Sequence, residues 1–317
     1  MLIDTCTLPK DERTFLELGK LYEDNGYSLY KMRKFEEYSL YLDNKNFLGS
    51  ESVLTFQGFG GKLMALKPDV TLSIVKNARI ADGKCEKLYY RESVYRTERG
   101  GQEFKEINQM GLECIGSSDT ATSVDICRLA VKSLSAIDEN FVFAVSHMGF
   151  ITGMLELCGV QNPTEKKAVL ECLRSKNAHD IKSAAGGIDD ESANKLAALA
   201  GGNTDFASAL ELARSLVGNA ETEKAVGELG QIYDTFADTP FKDKVRLDFS
   251  VLNDIDYYNG IIFQGYVERV PKAILSGGRY DGLLAKIGKD IGAMGFALSL
   301  GDLNTYYPRS GRKEEMI

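Results

Sequence analysis

Residues 88–96, Leu-Tyr-Tyr-Arg-Glu-Ser-Val-Tyr-Arg, and residues 107–115, Ile-Asn-Gln-Met-Gly-Leu-Glu-Cys-Ile, predict two β-strands joined by a polar loop. Side chains alternate along a strand, so Gln109 and Glu113 share one face of the second strand. In the same way Arg96 and Glu98 share one face at the end of the first strand. A face with so many polar groups is either one wall of a ligand site or a solvated edge. The two readings have equal support, since buried charges need partners.

Three further segments combine turn-forming residues with side chains suited to a ligand. They are 66–71 (Leu-Lys-Pro-Asp-Val-Thr), 254–260 (Asp-Ile-Asp-Tyr-Tyr-Asn-Gly) and 276–282 (Ser-Gly-Gly-Arg-Tyr-Asp-Gly). Each also has an ordinary structural reading: Asp69 is a favoured helix N-cap, a tyrosine pair is usual in a core, and glycines permit a tight turn. The last segment is the most specific of the three.

The order of predicted elements favours an α+β protein with a mostly antiparallel sheet flanked by helices. The first part of the chain combines strand patterns with helices predicted over 10–25 and 120–135. An Ala-, Leu- and Glu-rich stretch of amphipathic helices follows, and strands then resume. This segregation argues against a doubly wound parallel sheet. We therefore predict a core formed by residues 1–159 and 239–317, with 160–238 as a helical insertion.

Composition argues against several classes of protein. The chain has 317 residues, of which 38 are basic and 46 acidic, and its formal net charge of -8 argues against a main role in binding a phosphate backbone. No apolar run approaches the ~20 residues of a membrane span, and the amino terminus has no signal-peptide pattern. With two histidines a histidine-rich metal site is excluded, and no cofactor is expected. The six cysteines form no C-x-x-C pair and are expected to be reduced thiols, which predicts a cytoplasmic protein.

Read together and in this order, the four segments resemble the core of the class II histidyl-tRNA synthetase family, over roughly residues 11–303. Residues 95–98, Tyr-Arg-Thr-Glu, are similar to the motif 2 strand, in which an arginine binds the ATP α-phosphate. The resemblance implies a pocket for histidine. In such a pocket the carboxylates of Asp69 and Glu113 suit an α-ammonium, and the tyrosines and the side-chain amide of Gln109 suit an imidazole ring. Its walls would be formed by Asp69, Thr71, Arg96, Gln109, Glu113, Tyr257, Tyr258, Gly278, Arg279 and Tyr280.

Three positions depart from the synthetase pattern on the ATP side of this pocket. Asn253 stands where the family carries an arginine that binds histidine and the activated carboxylate. Asp302 stands where motif 3 carries the arginine that clamps the γ-phosphate, and Gln102 replaces an arginine of the motif 2 loop. Adenylate formation is stabilised by fixed cations around the phosphoryl oxygens, so these changes predict that the synthetase chemistry is lost.

These losses, and the expected absence of an anticodon-binding domain, make the chain similar to a second family with the same core, the regulatory subunits of ATP phosphoribosyltransferase. The resemblance implies a non-catalytic subunit that the short catalytic subunit requires in the first step of histidine biosynthesis. It also implies self-association, as a dimer within a hetero-octamer, and no binding of tRNA. L-histidine is the expected ligand and feedback inhibitor, bound in the synthetase-like pocket or at a subunit interface. The alternative is a truncated, divergent histidyl-tRNA synthetase-like enzyme that forms histidyl-adenylate.

Overall fold

The computed structural model describes residues 8–43, 53–77, 85–97, 103–201, 205–252, 258–301 and 303–307. Its strands are β1 (Ser28–Leu29), β2 (Phe35–Glu37), β3 (Thr55–Gln57), β4 (Leu63–Leu66), β5 (Glu86–Thr97), β6 (Phe104–Ile115), β7 (Phe141–His147), β8 (Val245–Leu247), β9 (Ile261–Val267), β10 (Leu275–Arg279) and β11 (Ala293–Ser299). Its α-helices are α1 (Lys10–Asp24), α2 (Ser39–Leu42), α3 (Thr71–Asn77), α4 (Thr120–Ile137), α5 (Met148–Leu157), α6 (Pro163–Arg174), α7 (Ile181–Ala184), α8 (Asp190–Ala200), α9 (Phe206–Ser215), α10 (Ala220–Ala237), α11 (Asp281–Lys286) and α12 (Leu303–Tyr306).

Eight strands form the main sheet, in the order β1-β5-β6-β11-β10-β9-β7-β8. Neighbours pair antiparallel, except at the two ends, where β1 with β5 and β7 with β8 are parallel. This arrangement confirms the predicted α+β fold with a mostly antiparallel sheet flanked by helices.

The hairpin β5–β6 is the longest pairing and sets the positions of the predicted site residues. Tyr90 lies opposite Gly111, and Leu88 lies opposite Glu113. Both strands are longer than predicted, because the backbone pairing extends through Thr97 and Phe104 beyond the apolar pattern. One face of this hairpin therefore carries Gly111 and Glu113 next to a buried tyrosine.

One face of the main sheet is covered by a three-stranded sheet, β2-β4-β3, together with α3 and α11. Two apolar runs, 53–56 and 62–66, flank the glycine cluster 58–61 and predict a β-hairpin. The hairpin is present, since Thr55 pairs with Ala65, and Gly60 and Gly61 have φ of +76° and +79°. Glycine has no Cβ and adopts these angles without strain. The strand β4 leads directly through Lys67 and Pro68 into α3, so the hairpin places this segment over the sheet.

The opposite face is covered by α1, α4, α5 and α10, which share one apolar cluster with the sheet. The sequence of α1 predicts an apolar stripe of Leu16, Leu18, Leu21 and Tyr22. Leu18 and Tyr22 are buried as predicted, but Leu16 is exposed. Helices fill the described part of 160–238 as predicted, and α10 packs on α5 and α4. That this segment forms a separate insertion stays a prediction.

Two cysteines depart from the expectation of reduced thiols. Cys85 and Cys114 form a disulfide, with their Cα atoms 6.3 Å apart. The register pairs Cys114 with Lys87, so Cys85, two residues before Lys87, lies diagonally across from Cys114. Cys127, Cys158 and Cys172 are free, and the first two are buried. The expectation of reduced thiols is therefore wrong for this pair, and the cytoplasmic localisation stays a prediction.

Among the described residues no helix is both long enough and apolar enough to cross a membrane.

Candidate functional site

Two glycines keep one patch of the main sheet open for other side chains. Gly278, Gly295 and Glu113 lie side by side across β10, β11 and β6. A Cβ at Gly278 would lie 2.8 Å from the ring of Tyr258, and one at Gly295 would collide with the Glu113 carboxylate. These glycines therefore let a tyrosine ring and a carboxylate lie directly against the sheet.

Glu113 is the centre of this site and is almost fully buried. Its two carboxylate oxygens each accept a hydrogen bond from a hydroxyl: Oε1 from Thr71 at 2.6 Å and Oε2 from Tyr280 at 2.5 Å. Burial raises the pKa of Glu113 to about 8, although these two hydrogen bonds act in the opposite direction and the charge of Asp69 adds to the rise. At neutral pH the carboxyl is therefore mostly protonated, and a cation beside it would favour its ionised form.

Asp69 caps a helix and lies close to the site around Glu113, while its role in binding a ligand stays a prediction. Its Oδ1 accepts a hydrogen bond from the Leu72 amide at 2.9 Å, which confirms that it caps the start of α3. Burial also raises the pKa of this carboxyl, against the opposing effects of backbone hydrogen bonds and of the Arg96 charge. Asp69 and Arg96 are thus close enough to interact, on the same side of the sheet as Glu113.

Tyr90 of this site was missed in the sequence, whereas Lys67 lies in the segment 66–71 that the sequence singled out but is not among the predicted pocket residues. Tyr90 is fully buried beside Glu113, and a Cβ at Gly111 would lie 2.5 Å from its hydroxyl oxygen. Lys67, also fully buried, forms an ion pair with Glu92 of β5. Alternation along β5 places Tyr90 and Glu92 on one face. This pattern was the available signal for Tyr90 and for the ion-pair partner of Lys67.

Arg279 is a predicted pocket residue that the structure turns away from the pocket. Strand alternation points its side chain to the helix-covered face, whereas Gly278 and Tyr280 face Glu113. There the guanidinium donates hydrogen bonds to Glu228 of α10, at 2.7 and 3.2 Å, and to Ser123 of α4 at 3.1 Å. Glu228 was missed because it stands among apolar residues of an amphipathic helix and looks like an ordinary solvated charge.

The remaining predicted residues divide into placed and unplaced ones. Gln109 is half-buried on the Glu113 face, opposite Glu92 of β5 and Ser299 of β11. Tyr258 is half-buried over Gly278. Tyr257 and the three positions of the ATP side, Gln102, Asn253 and Asp302, lie outside the described residues.

The described part of the chain contains no group of three or more His, Cys, Asp or Glu side chains that is arranged to hold a metal ion. An open cleft of about 330 Å³ lies between α4 and α10, on the helix-covered face. None of the predicted pocket residues lines it. The site around Glu113 is therefore the one where the predicted polar residues converge.

Sheet order and site together define a class II aminoacyl-tRNA synthetase-like protein. In agreement, the family model described as histidyl-tRNA synthetase matches residues 8–303. A crystal structure of an ATP phosphoribosyltransferase regulatory subunit/histidyl-tRNA synthetase from Bacillus halodurans superposes with a TM-score of 0.79, at 22% identity, over 95% of this chain and 80% of that one. At this level of identity the likeness supports the fold alone.

Two curated relatives are both named ATP phosphoribosyltransferase regulatory subunit. The ATP phosphoribosyltransferase regulatory subunit of Thermoanaerobacter sp. is 32% identical over 274 residues, covering 82% of this chain and 70% of that protein. The corresponding protein of Clostridium botulinum is 29% identical over 299 residues, covering 90% and 70%. The chain therefore belongs to the family of ATP phosphoribosyltransferase regulatory subunits, as the resemblance in the sequence predicted.

Proposed function

We propose that this chain is a non-catalytic subunit that the short catalytic subunit of ATP phosphoribosyltransferase requires for activity, and that L-histidine bound beside Glu113 inhibits the complex. The observation that carries the proposal is the buried Glu113 carboxyl, held by Thr71 and Tyr280 on an open patch of the sheet. The choice of partner is supported by the relatives, which are named as regulatory subunits of this enzyme. We further propose that the chain dimerises within a hetero-octamer and binds no tRNA.

The chemistry of the site suits a small ligand that has both a cation and a flat ring. Glu113 is neutral when the site is empty, and it becomes a full counter-charge when an ammonium or a protonated imidazole approaches. Asp69 provides a second carboxylate on the same side. Because Gly278 has no side chain, the aromatic ring of Tyr258 lies against the sheet, where it can form one wall for a planar group.

A regulatory rather than catalytic role is supported by the residue types on the ATP side. Gln102, Asn253 and Asp302 stand where the synthetase resemblance calls for arginines. Asp302 in particular would repel the γ-phosphate that an arginine would clamp. Substrate ATP would therefore lack the fixed cations that adenylate formation needs.

Reconstitution with the short catalytic subunit tests the proposal. The purified chain is mixed with that subunit, and phosphoribosyl transfer is measured with and without L-histidine. We expect co-elution of the two proteins, a large gain of activity over the catalytic subunit alone, and inhibition by histidine that is weakened by Glu113→Gln. A mixture as active as the catalytic subunit alone contradicts the required role.

One observation favours a second candidate, a histidine-activating enzyme: the histidyl-tRNA synthetase family model matches nearly the whole chain. This candidate predicts histidine-dependent exchange of pyrophosphate into ATP. We expect no exchange. The matched comparison is the Asp302→Arg variant, which restores one cation and shows whether its loss alone limits the reaction.

A further inference from the structure

A small polar pocket lies on the helix-covered face of the main sheet, between strand β5 and helix α4. It has a volume of about 80 Å³. Three cations and one anion take part in its walls, although the whole chain has a net charge of -8. The pocket therefore concentrates positive charge on an acidic protein. Its walls are formed by Asn25, Tyr27, Lys87, Asp125, Arg128, Leu129 and Lys132.

Two of the three cations have no counter-charge. Arg128 Nη1 donates a hydrogen bond to Asp125 Oδ1 at 3.1 Å, so the charges of this pair balance. Neither Lys87 nor Lys132 forms an ion pair within the described part of the chain. Lys132 also follows Arg128 by one helical turn, where like charges repel each other. A bound anion would therefore be attracted to this pocket and would lower the repulsion between its cations.

Tyr27 adds an uncharged hydrogen-bond donor to the same pocket. Its side chain is 4% exposed, and its hydroxyl makes no hydrogen bond with another described residue. Burial raises the pKa of this hydroxyl, and the charge of Asp125 adds to the rise, so the hydroxyl keeps its proton at neutral pH. A largely buried donor needs an acceptor, and an oxygen of a bound anion would supply one.

The pocket continues into the cleft of about 330 Å³ between α4 and α10, because Asp125 and Arg128 line both. The cleft has the size of sites that hold small organic molecules, whereas the pocket has room for only a single small group. On the side of α10 the cleft is lined by Gln231, Asp234 and Thr235. Carboxylates accept hydrogen bonds from sugar hydroxyls, as they do in ribose-binding sites. This wall therefore suits a ligand with several hydroxyl groups.

The charges of the two parts would give such a ligand one orientation. Lys87 and Lys132 line only the pocket, and Asp234 lines only the cleft. The lysines attract a phosphate and donate charge-assisted hydrogen bonds to its oxygens, whereas the carboxylate repels it. A molecule with a phosphate at one end and hydroxyl groups at the other matches both parts.

We propose that the pocket and the adjoining cleft together bind a phosphorylated sugar. The phosphate lies between Lys87, Arg128 and Lys132, and the sugar hydroxyls face the carboxylate of Asp234. Alternation along β5 turns Lys87 to the face opposite that of Leu88, the partner of Glu113 in the sheet. The site is thus separate from the proposed histidine site, and the inference does not rest on the proposed function.

Calorimetric titration of the purified full chain with ribose 5-phosphate tests the proposal, with D-ribose and inorganic phosphate as matched probes. We expect ribose 5-phosphate to bind at least about tenfold more tightly than inorganic phosphate, because only the ester uses both parts of the site. Ribose alone should not bind. Affinity for the ester should fall as the salt concentration rises, since the pocket is open to solvent. The proposal is overturned if ribose 5-phosphate does not bind at millimolar concentration, or binds no more tightly than inorganic phosphate.

Variants at the two ends of the site test the placement of the ligand. Lys132 is exposed, so Lys132→Gln should fold normally, and it should weaken the binding of both the ester and inorganic phosphate at least about fivefold. Asp234→Asn should weaken the binding of ribose 5-phosphate at least about threefold, but not that of inorganic phosphate, which does not reach the cleft. An Asp234→Asn chain that binds the ester as tightly as the wild type contradicts the placement of the sugar.

Lys242→Gln is the matched control for loss of a positive charge. Lys242 is exposed and precedes β8, at the other end of the main sheet from β5. This variant should bind all three probes as the wild type does. Equal losses of affinity in Lys132→Gln and Lys242→Gln would mean that only the overall charge attracts the phosphate, which overturns the proposal.

Discussion

The hydroxyl of Thr71 donates a hydrogen bond of 2.6 Å to Glu113 Oε1, across 42 residues of sequence. This bond joins the first residue of α3 to the middle of the main sheet, and both groups are buried. It fixes the segment that also carries Lys67 and Asp69 over the sheet. The site around Glu113 is therefore assembled by side-chain contacts as well as by backbone pairing.

Replacement of Glu113 by glutamine should separate binding from stability. Glutamine has nearly the same shape as the protonated carboxyl, so at pH 6 we expect the free energy of unfolding to change by no more than about 1 kcal/mol. Glutamine cannot become an anion, so the affinity for L-histidine should fall at least about tenfold. Calorimetric titration measures the second quantity and urea unfolding the first.

Glu92→Gln is the matched control, because it removes a carboxylate from the same face of the sheet at a position paired with Lys67. We expect it to reduce stability more than Glu113→Gln does. An unchanged affinity in Glu113→Gln would contradict the assignment of Glu113 as the ligand's counter-charge.

Stability should fall as pH rises through the neutral range. The folded-state pKa of Glu113 is about 8, above its ordinary value of 4.5, so between these two values the folded chain binds a proton that the unfolded chain releases. Each unit of that rise costs about 1.4 kcal/mol at high pH, and the total is a few kcal/mol at most. Urea unfolding at about pH 6 and about pH 8.5 should show a smaller difference for Glu113→Gln than for the wild type.

Asp69 acts in the same direction, since burial raises its pKa as well. Asp69→Asn should therefore also weaken the fall of stability with rising pH, in the range just above the ordinary pKa of an aspartate. Identical pH dependence in the wild type and in Glu113→Gln would mean that Glu113 is ionised in the folded chain at neutral pH.

Two lysine–glutamate pairs, with their lysines at the two ends of β4, should differ sharply in their effect on stability. Lys67 is fully buried against Glu92, whereas the side chains of Lys62 and Glu37 are 66% and 51% exposed. Lys67→Met should cost about 3–5 kcal/mol, because it leaves Glu92 uncompensated, and Lys62→Met should cost far less, because water screens the exposed pair. Thermal and urea unfolding of the two variants measure this difference, and equal effects would contradict the buried pairing.

The fold was largely predictable from the sequence, because local patterns determine most of it. The alternation in residues 88–96 and 107–115 gives the two longest strands, and the cluster at Gly58–Gly61 gives the hairpin. Leu16 was misplaced because apolar character alone does not decide which side of a helix faces the sheet. The Cys85–Cys114 pair was missed because it depends on strand register, which composition does not reveal.

The candidate site was predictable only in part, for a different physical reason. Asp69, Thr71, Glu113 and Tyr280 come together because each lies on a segment with its own strong local signal. Arg279 lies in such a segment too, but alternation at the end of β10 turns its side chain to the opposite face. Its partner Glu228 comes from a helix 51 residues earlier, and no local pattern connects the two.

Alanine at Gly295 should damage the site, whereas alanine at Gly227 should stabilise the chain. A Cβ at Gly295 would collide with the Glu113 carboxylate and with the backbone carbonyl oxygen of Leu112, and the backbone cannot move away within a paired strand. Overpacking of this kind costs about 1–3 kcal/mol or more, and histidine binding should be lost with it.

Gly227 lies on the exposed side of α10 with nothing within 4 Å of a Cβ, so alanine there should add about 0.5–1 kcal/mol through its higher helix propensity. Thermal unfolding and calorimetric titration of both variants measure these effects, and a Gly295→Ala chain that is as stable and binds histidine as tightly as the wild type would contradict the close contact between Glu113 and the sheet.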